Sequence, residues 1–368
     1  MEIIGIICEY NPFHNGHIYH LEQIKKMYPA SLIVLVLNGY FLERGEISFL
    51  TKEDKTKIAL DNGIDIVLEL PFVYGTQSAD VFANTSILML NELGCTKIVF
   101  GSESNDIQML KKIAQKQLED NFKEELDLNL KKGLNYPTAL NKTIGIDLSS
   151  PNDLLGVSYI KAIMQNKLSI DPILIKRTND YHDLESNDKI ISASNIRSKY
   201  LNNEDIAKYT PYSNLMINVN DKMLFNLLKY QILINDNLAK YLDVDEGIEY
   251  KLIKEINNVN TLDELILKVK SKRYTYNKIR RMLIHILITL TKEDVNNLKL
   301  EYIKLLGFNS KGKDYLSKIK TNIPVIRKIP QDYLPQKYEL IASRIYDLLT
   351  NQNTYEFEIS NKPIKKDM

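Results

Sequence analysis

Several features that would place a chain in a special class are scarce or missing from this sequence. Only two of its 368 residues are cysteine, Cys8 and Cys95, and their spacing is not that of a metal site. This scarcity argues against a disulfide scaffold and favours a cytoplasmic protein with reduced thiols. No apolar run approaches the roughly 20 residues that a membrane-spanning helix needs, and the first ten residues lack the features of a signal peptide. We therefore expect no membrane partner.

An excess of charge of one sign is also missing. The chain has 48 Lys and Arg residues against 47 Asp and Glu residues, a formal net charge of +1. Overall charge therefore gives no indication of a nucleic-acid partner, and any such surface must come from a local cluster. With 44% hydrophobic and 26% charged residues, the composition is that of a globular protein with a sizeable core. The length suggests two domains and allows three.

The first two hundred residues alternate between strand and helix patterns. Short apolar runs predict buried strands at 3–8, 32–37, 64–68, 97–100 and 172–175, and amphipathic stretches predict helices at 17–27, 51–62, 78–93 and 150–165. Apolar strands that alternate with helices predict a Rossmann-like α/β domain, in which both faces of a parallel sheet are covered. Ligands of such sheets bind at the carboxyl ends of strands, so the loops directly after strands are where we expect the chemistry.

The pattern changes after residue 201. Strand signals fade, and helical periodicity rich in Lys, Asn and Leu takes over. The polar stretch 202–214 contains Pro211, and we place a domain boundary there. We therefore predict an α/β catalytic domain at 1–205, a mainly α-helical domain at 206–358 and a flexible, frayed tail at 359–368.

The sharpest local signal is a loop that contains three of the five histidines in the chain. His14, His17 and His20 follow the first predicted strand and open the first predicted helix. The first turn of a helix presents unpaired backbone N–H groups and a partial positive charge, which attract phosphate. Because His14 and His17 are three residues apart, both rings can lie on one side of that turn and donate N–H groups to phosphoryl oxygens. Gly16 lets a base or phosphate approach the backbone closely.

Two other interpretations of these histidines stay open. They could ligate zinc, perhaps with Cys8, although metal pairs on helices usually lie four residues apart and no cysteine or carboxylate set completes this one. They could also be capping or core histidines, although three polar rings directly after a buried strand are unusual in that role. The pattern itself favours a phosphate-binding site.

The order of residues in this loop resembles a known family. His14-Asn15-Gly16-His17 matches the His-x-Gly-His signature of the nucleotidyltransferase superfamily, relatives of class I aminoacyl-tRNA synthetases. The longer string that begins at Glu9, Glu-Tyr-Asn-Pro-Phe-His-Asn-Gly-His, resembles the tRNA(Met) cytidine acetate ligase family. The resemblance covers the N-terminal domain well and the C-terminal half mainly through residues 272–285. It implies that the first domain binds ATP and that the second binds tRNA.

Later segments fit the same interpretation. Gly101 and Ser102 close the fourth predicted strand, and Gly101 permits a close approach to the nucleotide. Asn152 opens a helix and could hydrogen-bond an adenine or ribose, and Arg177 follows the fifth strand, where it could hold phosphate bidentately. The run 180–182, Asp-Tyr-His, comes next. Taken singly, these segments could also be a turn, a helix cap and a surface salt bridge.

A second motif carries the phosphate prediction further. The run 191–197, Ile-Ser-Ala-Ser-Asn-Ile-Arg, resembles the superfamily pattern Ile-Ser-Ser/Thr-Thr-x-Ile-Arg, which implies that its hydroxyls and helix start hold the β and γ phosphates, with Arg197 nearby. The sequence departs from this pattern, since Ala193 replaces a hydroxyl residue and Ser194 stands where threonine is usual. The predicted ATP contacts are Ile7, Cys8, Glu9, Tyr10, Asn11, Pro12, Phe13, His14, Asn15, Gly16, His17, His20, Gly101, Ser102, Asn152, Arg177, Ser192 and Ser194.

A local cluster of positive charge lies in the second half of the chain. Residues 268–281 contain seven Lys and Arg residues and no acidic residue, with Tyr274 and Tyr276 among them. Cations interleaved with aromatics suit an RNA backbone and its exposed bases, although a charge run is more often a solvated face. Because the family acts on tRNA, the resemblance implies that this basic stripe binds it. The predicted tRNA contacts are Lys272, Arg273, Arg280, Arg281 and His285.

The resemblance implies a complete reaction. ATP, accompanied by Mg²⁺, would activate acetate as acetyl-adenylate, and the acetyl group would pass to the wobble cytidine of elongator tRNA(Met) to give N4-acetylcytidine. His14 and His17 are the expected catalytic residues, and we predict no metal ligand in the protein. Two alternatives stay open: an adenylyl- or cytidylyltransferase for a small phosphorylated metabolite, and a non-catalytic RNA-binding protein that has kept a nucleotide site.

Overall fold

The sheet at the centre of the molecule has the strand order expected of a Rossmann-like domain. The computed structural model describes residues 1–148, 150–177, 189–330, 332–360 and 362–367. Within these residues the strands are β1 (Ile3–Cys8), β2 (Leu32–Asn38), β3 (Ile66–Leu70), β4 (Lys97–Ser102), β5 (Asp171–Lys176), β6 (Ile303–Asn309), β7 (Val325–Ile326) and β8 (Ile364–Lys366). They form one sheet in the order β5-β4-β1-β2-β3-β6-β7, with β8 paired to β6. Strands β1 to β5 run parallel.

Helices cover this sheet and fill the second half of the chain. The described helices are α1 (Asn15–Met27), α2 (Lys52–Asp61), α3 (Phe72–Gly75), α4 (Ala79–Glu92), α5 (Ile107–Lys116), α6 (Phe122–Lys131), α7 (Tyr136–Ile144), α8 (Pro151–Gln165), α9 (Ala193–Leu201), α10 (Asp221–Ile234), α11 (Ile248–Glu255), α12 (Leu262–Val269), α13 (Tyr276–Ile288), α14 (Lys292–Asn296), α15 (Ser310–Leu316), α16 (Leu334–Thr350) and α17 (Thr354–Ser360). In the described part of the chain, none is long and apolar enough to span a membrane.

Strand β2 shows why the sheet is buried on both faces. All seven of its residues are buried, and successive side chains of a strand point to opposite faces. Leu32, Val34 and Val36 therefore enter one hydrophobic core, while Ile33 and Leu35 enter a second core on the other side. A strand buried on both faces has a continuous apolar run in its sequence, and that run is what predicted it.

The second half is mainly helical, as predicted, but it also contributes strands to the sheet. Strand β6 pairs antiparallel with β3, at Ile66 with Phe308, and thereby extends the parallel sheet. The tail predicted to fray at 359–368 contains β8, which pairs with β6 at Gly307 and Ile364. This pairing satisfies backbone groups that a free tail would leave to water. The domain boundary at 202–214 stays a prediction.

A buried charged cluster joins the C-terminal helices to the sheet. Lys52 Nζ on α2 lies 2.6 Å from Glu69 on β3, 2.7 Å from Glu339 on α16 and 2.6 Å from Glu358 on α17. Lys304 on β6 lies 2.6 Å from Glu358 and 3.0 Å from Glu69. The three carboxylates approach one another closely enough to hold a cation, but two lysine ammonium groups already lie among them. The cluster therefore acts as an ionic clamp.

Candidate active site

A cavity of about 290 Å³ opens at the carboxyl ends of β1, β4 and β5. It lies at the switch point of the sheet, because the strand order reverses between β1 and β4. Most of the residues predicted to contact ATP line it, although they come from five separate segments of the chain. These lining residues are Ile7, Cys8, Glu9, Tyr10, Asn11, His14, Gly16, His17, His20, Gly101, Asn152, Arg177, Ser192 and Ser194.

Four of the predicted contacts do not line the cavity. Phe13 and Pro12 are buried in the protein interior, and the Asn15 amide donates hydrogen bonds to two carbonyl groups that flank α9. Ser102 is buried and its hydroxyl donates to Asp153 at 2.5 Å. These four side chains lie behind the cavity wall, and their contact with ATP stays a prediction.

The histidine pair is held by its own helix. His14 is the N-cap of α1, and its Nδ1 accepts a hydrogen bond from the Gly16 N–H at 2.9 Å. His17 Nδ1 accepts from the His14 N–H at 3.2 Å, which completes a reciprocal capping box. Because both Nδ1 atoms accept, each neutral ring carries its proton on Nε2. The ring centroids are 4.1 Å apart, so the first turn presents two N–H donors side by side.

The glycine between the two rings is required by the close packing of this turn. A Cβ at Gly16 would lie 2.6 Å from Cε1 of His14. Any side chain at this position would displace the imidazole that caps the helix. His14 and His17 are therefore capping residues, as one of the alternative interpretations held, but only their Nδ1 atoms take part in the cap. Their Nε2 atoms are left for a ligand.

Burial keeps the three rings neutral. Desolvation, with repulsion from Arg177 and Arg197, lowers the pKa of His14 to about 3. Desolvation and Arg177 lower the pKa of His20 to about 4, and desolvation together with the neighbouring histidines lowers the pKa of His17 well below its usual value. His20 Nε2 is buried and has no hydrogen-bond partner among the described residues. Neutral donors and an unmatched ring nitrogen suit a site that receives an anion.

The second motif lines the same cavity as the histidines. Ser192 is the N-cap of α9, accepts a hydrogen bond from the Asn195 N–H at 3.2 Å and lies 3.0 Å from the Ser194 hydroxyl. The two hydroxyls thus stand at the positive end of a helix, where a phosphate is favoured. Arg197 instead joins the histidine loop to the loop after β2, because it donates to the Asn11 carbonyl at 2.7 Å and to Glu46 at 2.8 Å.

Glu103 lies beside Asn152 and Arg177, two polar residues that line the cavity. The Asn152 amide donates to its carboxylate at 2.5 Å, and Arg177 Nε lies 3.9 Å from the same oxygen. That Nε is buried without a hydrogen-bond partner among the described residues. The predicted segment 180–182 lies outside the residues that the structure describes.

Comparison with known proteins gives the family. The chain matches the HIGH Nucleotidyl Transferase family model over residues 1–361. A tRNA(Met) cytidine acetate ligase of Caldicellulosiruptor saccharolyticus is 41% identical to it, covering 95% of this chain and 94% of that protein. The ligase of Bacillus subtilis is 35% identical, covering 95% and 92%. This chain belongs to the tRNA(Met) cytidine acetate ligase family. The resemblance seen in the histidine loop is thereby confirmed.

Solved structures agree with this membership. Thermotoga maritima TmcAL in its apo form matches all of this chain and all of that one, with a TM-score of 0.91 and 28% identity. A structure of the same protein bound with alpha-thio ATP matches with a TM-score of 0.87. The predicted fold class, a Rossmann-like α/β domain followed by a mainly helical part, is confirmed.

The residues predicted to contact tRNA are partly exposed and partly buried. Lys272 and Arg273 are exposed, and Arg280 is partly buried. Arg281 is 11% exposed, 3.2 Å from Asp243 and 3.8 Å from Glu43. His285 is fully buried and shares a 2.8 Å hydrogen bond with the Thr76 carbonyl, so its predicted direct contact with RNA was wrong. The reason is that residue 285 lies on the face of α13 that packs inward.

Part of the cavity wall was not predicted from the sequence. Phe82 on α4, Phe100 on β4, and Leu155 and Tyr159 on α8 form an apolar, largely aromatic side. The rings of Phe100 and Tyr159 meet edge to face at 5.5 Å. These residues fell at ordinary buried positions of predicted helices and strands, and nothing in the periodicity distinguishes a ligand-facing aromatic from a core one.

The loop after β2 connects the cavity to α13. Its residues Glu43, Arg44 and Glu46 line the cavity. Gly45 has a positive φ of 73°, and a Cβ there would lie 2.8 Å from the backbone of Arg281. The helix that contains the end of the basic stripe therefore packs, backbone to backbone, against the loop that lines the cavity.

Proposed function

We propose that this chain is an ATP-dependent acetate ligase that forms N4-acetylcytidine at the wobble position of elongator tRNA(Met). The observation that carries the proposal is the pair of neutral imidazoles, His14 and His17, which line a switch-point cavity in a member of the tRNA(Met) cytidine acetate ligase family. A tRNA substrate would place the reaction in the cytoplasm.

The first step activates acetate. An acetate oxygen attacks the α-phosphorus of ATP, pyrophosphate leaves, and acetyl-adenylate forms. Such displacements need alignment and charge stabilisation more than a protein nucleophile. The Nε2–H groups of His14 and His17 donate to the phosphoryl oxygens as negative charge develops there. Because these donors are neutral, their protons stay on the rings throughout the step.

The other walls of the cavity suit the rest of the nucleotide. The aromatic side built from Phe82, Phe100 and Tyr159 offers a flat surface to the adenine. Ser192 and Ser194, at the N-terminus of α9, hold the leaving pyrophosphate, and Arg177 adds a cation. Mg²⁺ enters with ATP and offsets the charge of the triphosphate. We assign no ligand of Mg²⁺ in the protein.

The second step transfers the acetyl group to tRNA. The basic stripe, residues 268–281, receives the RNA through exposed cations such as Lys272 and Arg273. Contact between α13 and the loop after β2 brings the stripe next to the cavity. The cytidine amine then attacks the acetyl carbonyl, and AMP leaves.

One assay tests this function against its alternatives. The chain is incubated with ATP, acetate and bulk tRNA, and the tRNA is digested to nucleosides for mass spectrometry. We expect N4-acetylcytidine from the wild-type chain and none from the His14→Ala/His17→Ala variant. Turnover of ATP stimulated by a phosphorylated metabolite but not by acetate would instead indicate a transferase. Binding of tRNA without any turnover would indicate a binding protein.

A further inference from the structure

The carboxylate of Glu9 is held in place by one of its two oxygens. Glu9 directly follows β1, and its Oε1 accepts hydrogen bonds from the Asn38 side-chain amide at 3.0 Å and from the Glu43 N–H at 2.8 Å. None of the described residues donates a hydrogen bond to the other oxygen, Oε2. This oxygen is not among the buried atoms that lack a partner, and Glu9 lines the cavity. The carboxylate is therefore oriented, with one oxygen left for a ligand.

The groups that hold Glu9 are themselves fixed. The Asn38 side chain also donates to the Gly75 carbonyl at 3.1 Å and accepts from the Gly39 N–H at 2.9 Å. Beneath them, Lys55 Nζ donates to the carbonyl oxygens of Glu9 at 3.1 Å, Asn38 at 2.7 Å and Gly39 at 2.6 Å. Such a supporting network is what a preorganised catalytic group needs, and more than a solvated surface glutamate would have.

Glu9 also lies at the end of the cavity that faces α13. The Glu43 N–H that binds it belongs to the loop after β2, and the Glu43 carboxylate lies 3.8 Å from Arg281 on α13. Gly45 of the same loop touches the backbone of that helix. Glu9 therefore lies on the side of the cavity from which RNA bound at α13 would enter in the proposed function.

We infer that Glu9 accepts the proton that the cytidine N4 amine loses when it attacks the acetyl carbonyl. This inference rests on the proposed function. The N4–carbon bond forms, the bond between the carbonyl carbon and the phosphate oxygen breaks, AMP leaves with that electron pair, and the proton passes to Glu9 Oε2. The N4 lone pair is delocalised into the pyrimidine ring, so a positioned base has much to contribute, typically about 10²- to 10⁴-fold.

Glu43 is the other carboxylate at this end of the cavity. Burial, together with repulsion from Glu9 and Glu46, raises its pKa to about 7 against the opposing effect of Arg44 and Arg281. Its backbone N–H, which any residue would supply, is what orients Glu9. The geometry assigns the acceptor role to Glu9 and a lesser role to the Glu43 side chain.

Measuring the two half-reactions separately tests the inference. Acetate-dependent ATP–pyrophosphate exchange reports adenylate formation, and single-turnover transfer from synthetic acetyl-adenylate to tRNA reports the second step. We expect Glu9→Gln to keep exchange within about threefold of wild type while transfer falls by about 100-fold or more. Glu43→Gln should lose much less transfer than Glu9→Gln. Glu22→Gln, the same change at an exposed position on α1, should leave both steps unchanged.

Several outcomes would overturn the inference. If Glu9→Gln transfers at the wild-type rate, or loses exchange and transfer equally, Glu9 is not the proton acceptor. If the wild-type chain itself makes no acetylcytidine, the proposed function fails and this inference with it, which is a distinct result. If circular dichroism shows that Glu9→Gln does not fold, the same two rates are measured for Glu9→Asp. This variant keeps a carboxylate but moves it by one methylene. Transfer must then fall more than exchange, and equal losses would contradict the assignment.

Discussion

His14 has two roles, one for each ring nitrogen, and a single substitution separates them. Nδ1 caps α1, and the ring lines the cavity, where the proposed role of Nε2–H is to bind phosphate. In His14→Asn the side-chain oxygen can still cap the helix, since asparagine is among the best N-cap residues, but the imidazole donor is gone. We expect the thermal unfolding midpoint to change little while acetate-dependent pyrophosphate exchange falls about 10²- to 10³-fold.

The matched control is His14→Ala, which removes both the cap and the donor. Loss of an N-cap costs about 1 kcal/mol, so this variant should lose stability as well as activity. An active His14→Asn enzyme would show that the imidazole donor is not needed.

The protonation of these rings can be observed directly. Because burial lowers the pKa of His14 to about 3 and that of His20 to about 4, both rings should stay neutral when the pH falls from 7 to 5.5. Nitrogen-15 chemical shifts of the labelled, ligand-free chain should show the Nε2–H tautomer of His14 at both pH values. An imidazolium signal from His14 at pH 5.5 would contradict the arrangement.

At the scale of elements, the ionic clamp between Lys52, Lys304 and the three glutamates joins α16 and α17 to the sheet. Burial would raise the pKa of Glu358, but the two lysines outweigh it and lower that pKa to about 2. Glu358→Gln removes one of the carboxylates that pair with two buried lysines, and breaking a buried ion pair costs about 3–5 kcal/mol. Urea unfolding should show this destabilisation. Stability contributed by Glu358 is present above pH 4.5 and is lost as the pH falls toward 2.

An exposed ion pair gives the comparison for the ionic clamp. Glu53 and Lys57 form a surface pair on α2, with side chains 43% and 50% exposed. Glu53→Gln should therefore change the free energy of unfolding by less than about 1 kcal/mol. If Glu358→Gln costs no more than Glu53→Gln, the clamp does not stabilise the fold.

The elements also show where sequence patterns suffice. Strands β1 to β5 could be predicted because each is a short apolar run between amphipathic helices. Strand β6 was missed, since Lys304 interrupts its apolar run and the chain pairs it with β3, more than two hundred residues earlier. A lysine in a sequence indicates a surface position, and only the tertiary structure supplies the glutamates that allow it to be buried.

At the scale of the whole molecule, the loop after β2 connects the end of the basic stripe to the cavity. The double variant Lys272→Glu/Arg273→Glu changes two exposed cations of the stripe. We expect weaker tRNA binding and a shallower dependence of binding on salt, by about one unit of slope for each phosphate that is no longer bound. ATP binding should be unchanged. Filter binding across a salt series would measure the first effect, and calorimetry the second.

A distant pair of lysines provides the control for charge. Lys318→Glu/Lys320→Glu makes the same change at exposed residues near the amino-terminal end of β1, where Ile319 packs beside Gly94. This variant should bind tRNA nearly as wild type does. Equal weakening by both double variants would mean that the stripe has no special role and that only overall charge matters.

The candidate site could be predicted from the sequence where its residues lie in short motifs or at the ends of predicted strands and the starts of predicted helices. The histidine loop and the motif at 191–197 each lie within one short run, so local order was enough to find them. The aromatic wall depends on how α4 and α8 pack against β4, which no local pattern records. His285 shows the opposite error, because its neighbours in sequence are cations while its neighbours in space are Thr76 and Asp243.

The location of ATP tests the central claim most directly. A crystal structure of this chain with a slowly hydrolysed ATP analogue should show the triphosphate in the cavity at the ends of β1, β4 and β5. The account predicts that phosphoryl oxygens lie within hydrogen-bonding distance of Nε2 of His14 and His17, with the terminal phosphates at the start of α9. A nucleotide bound elsewhere, or phosphates that avoid both imidazoles, would contradict it.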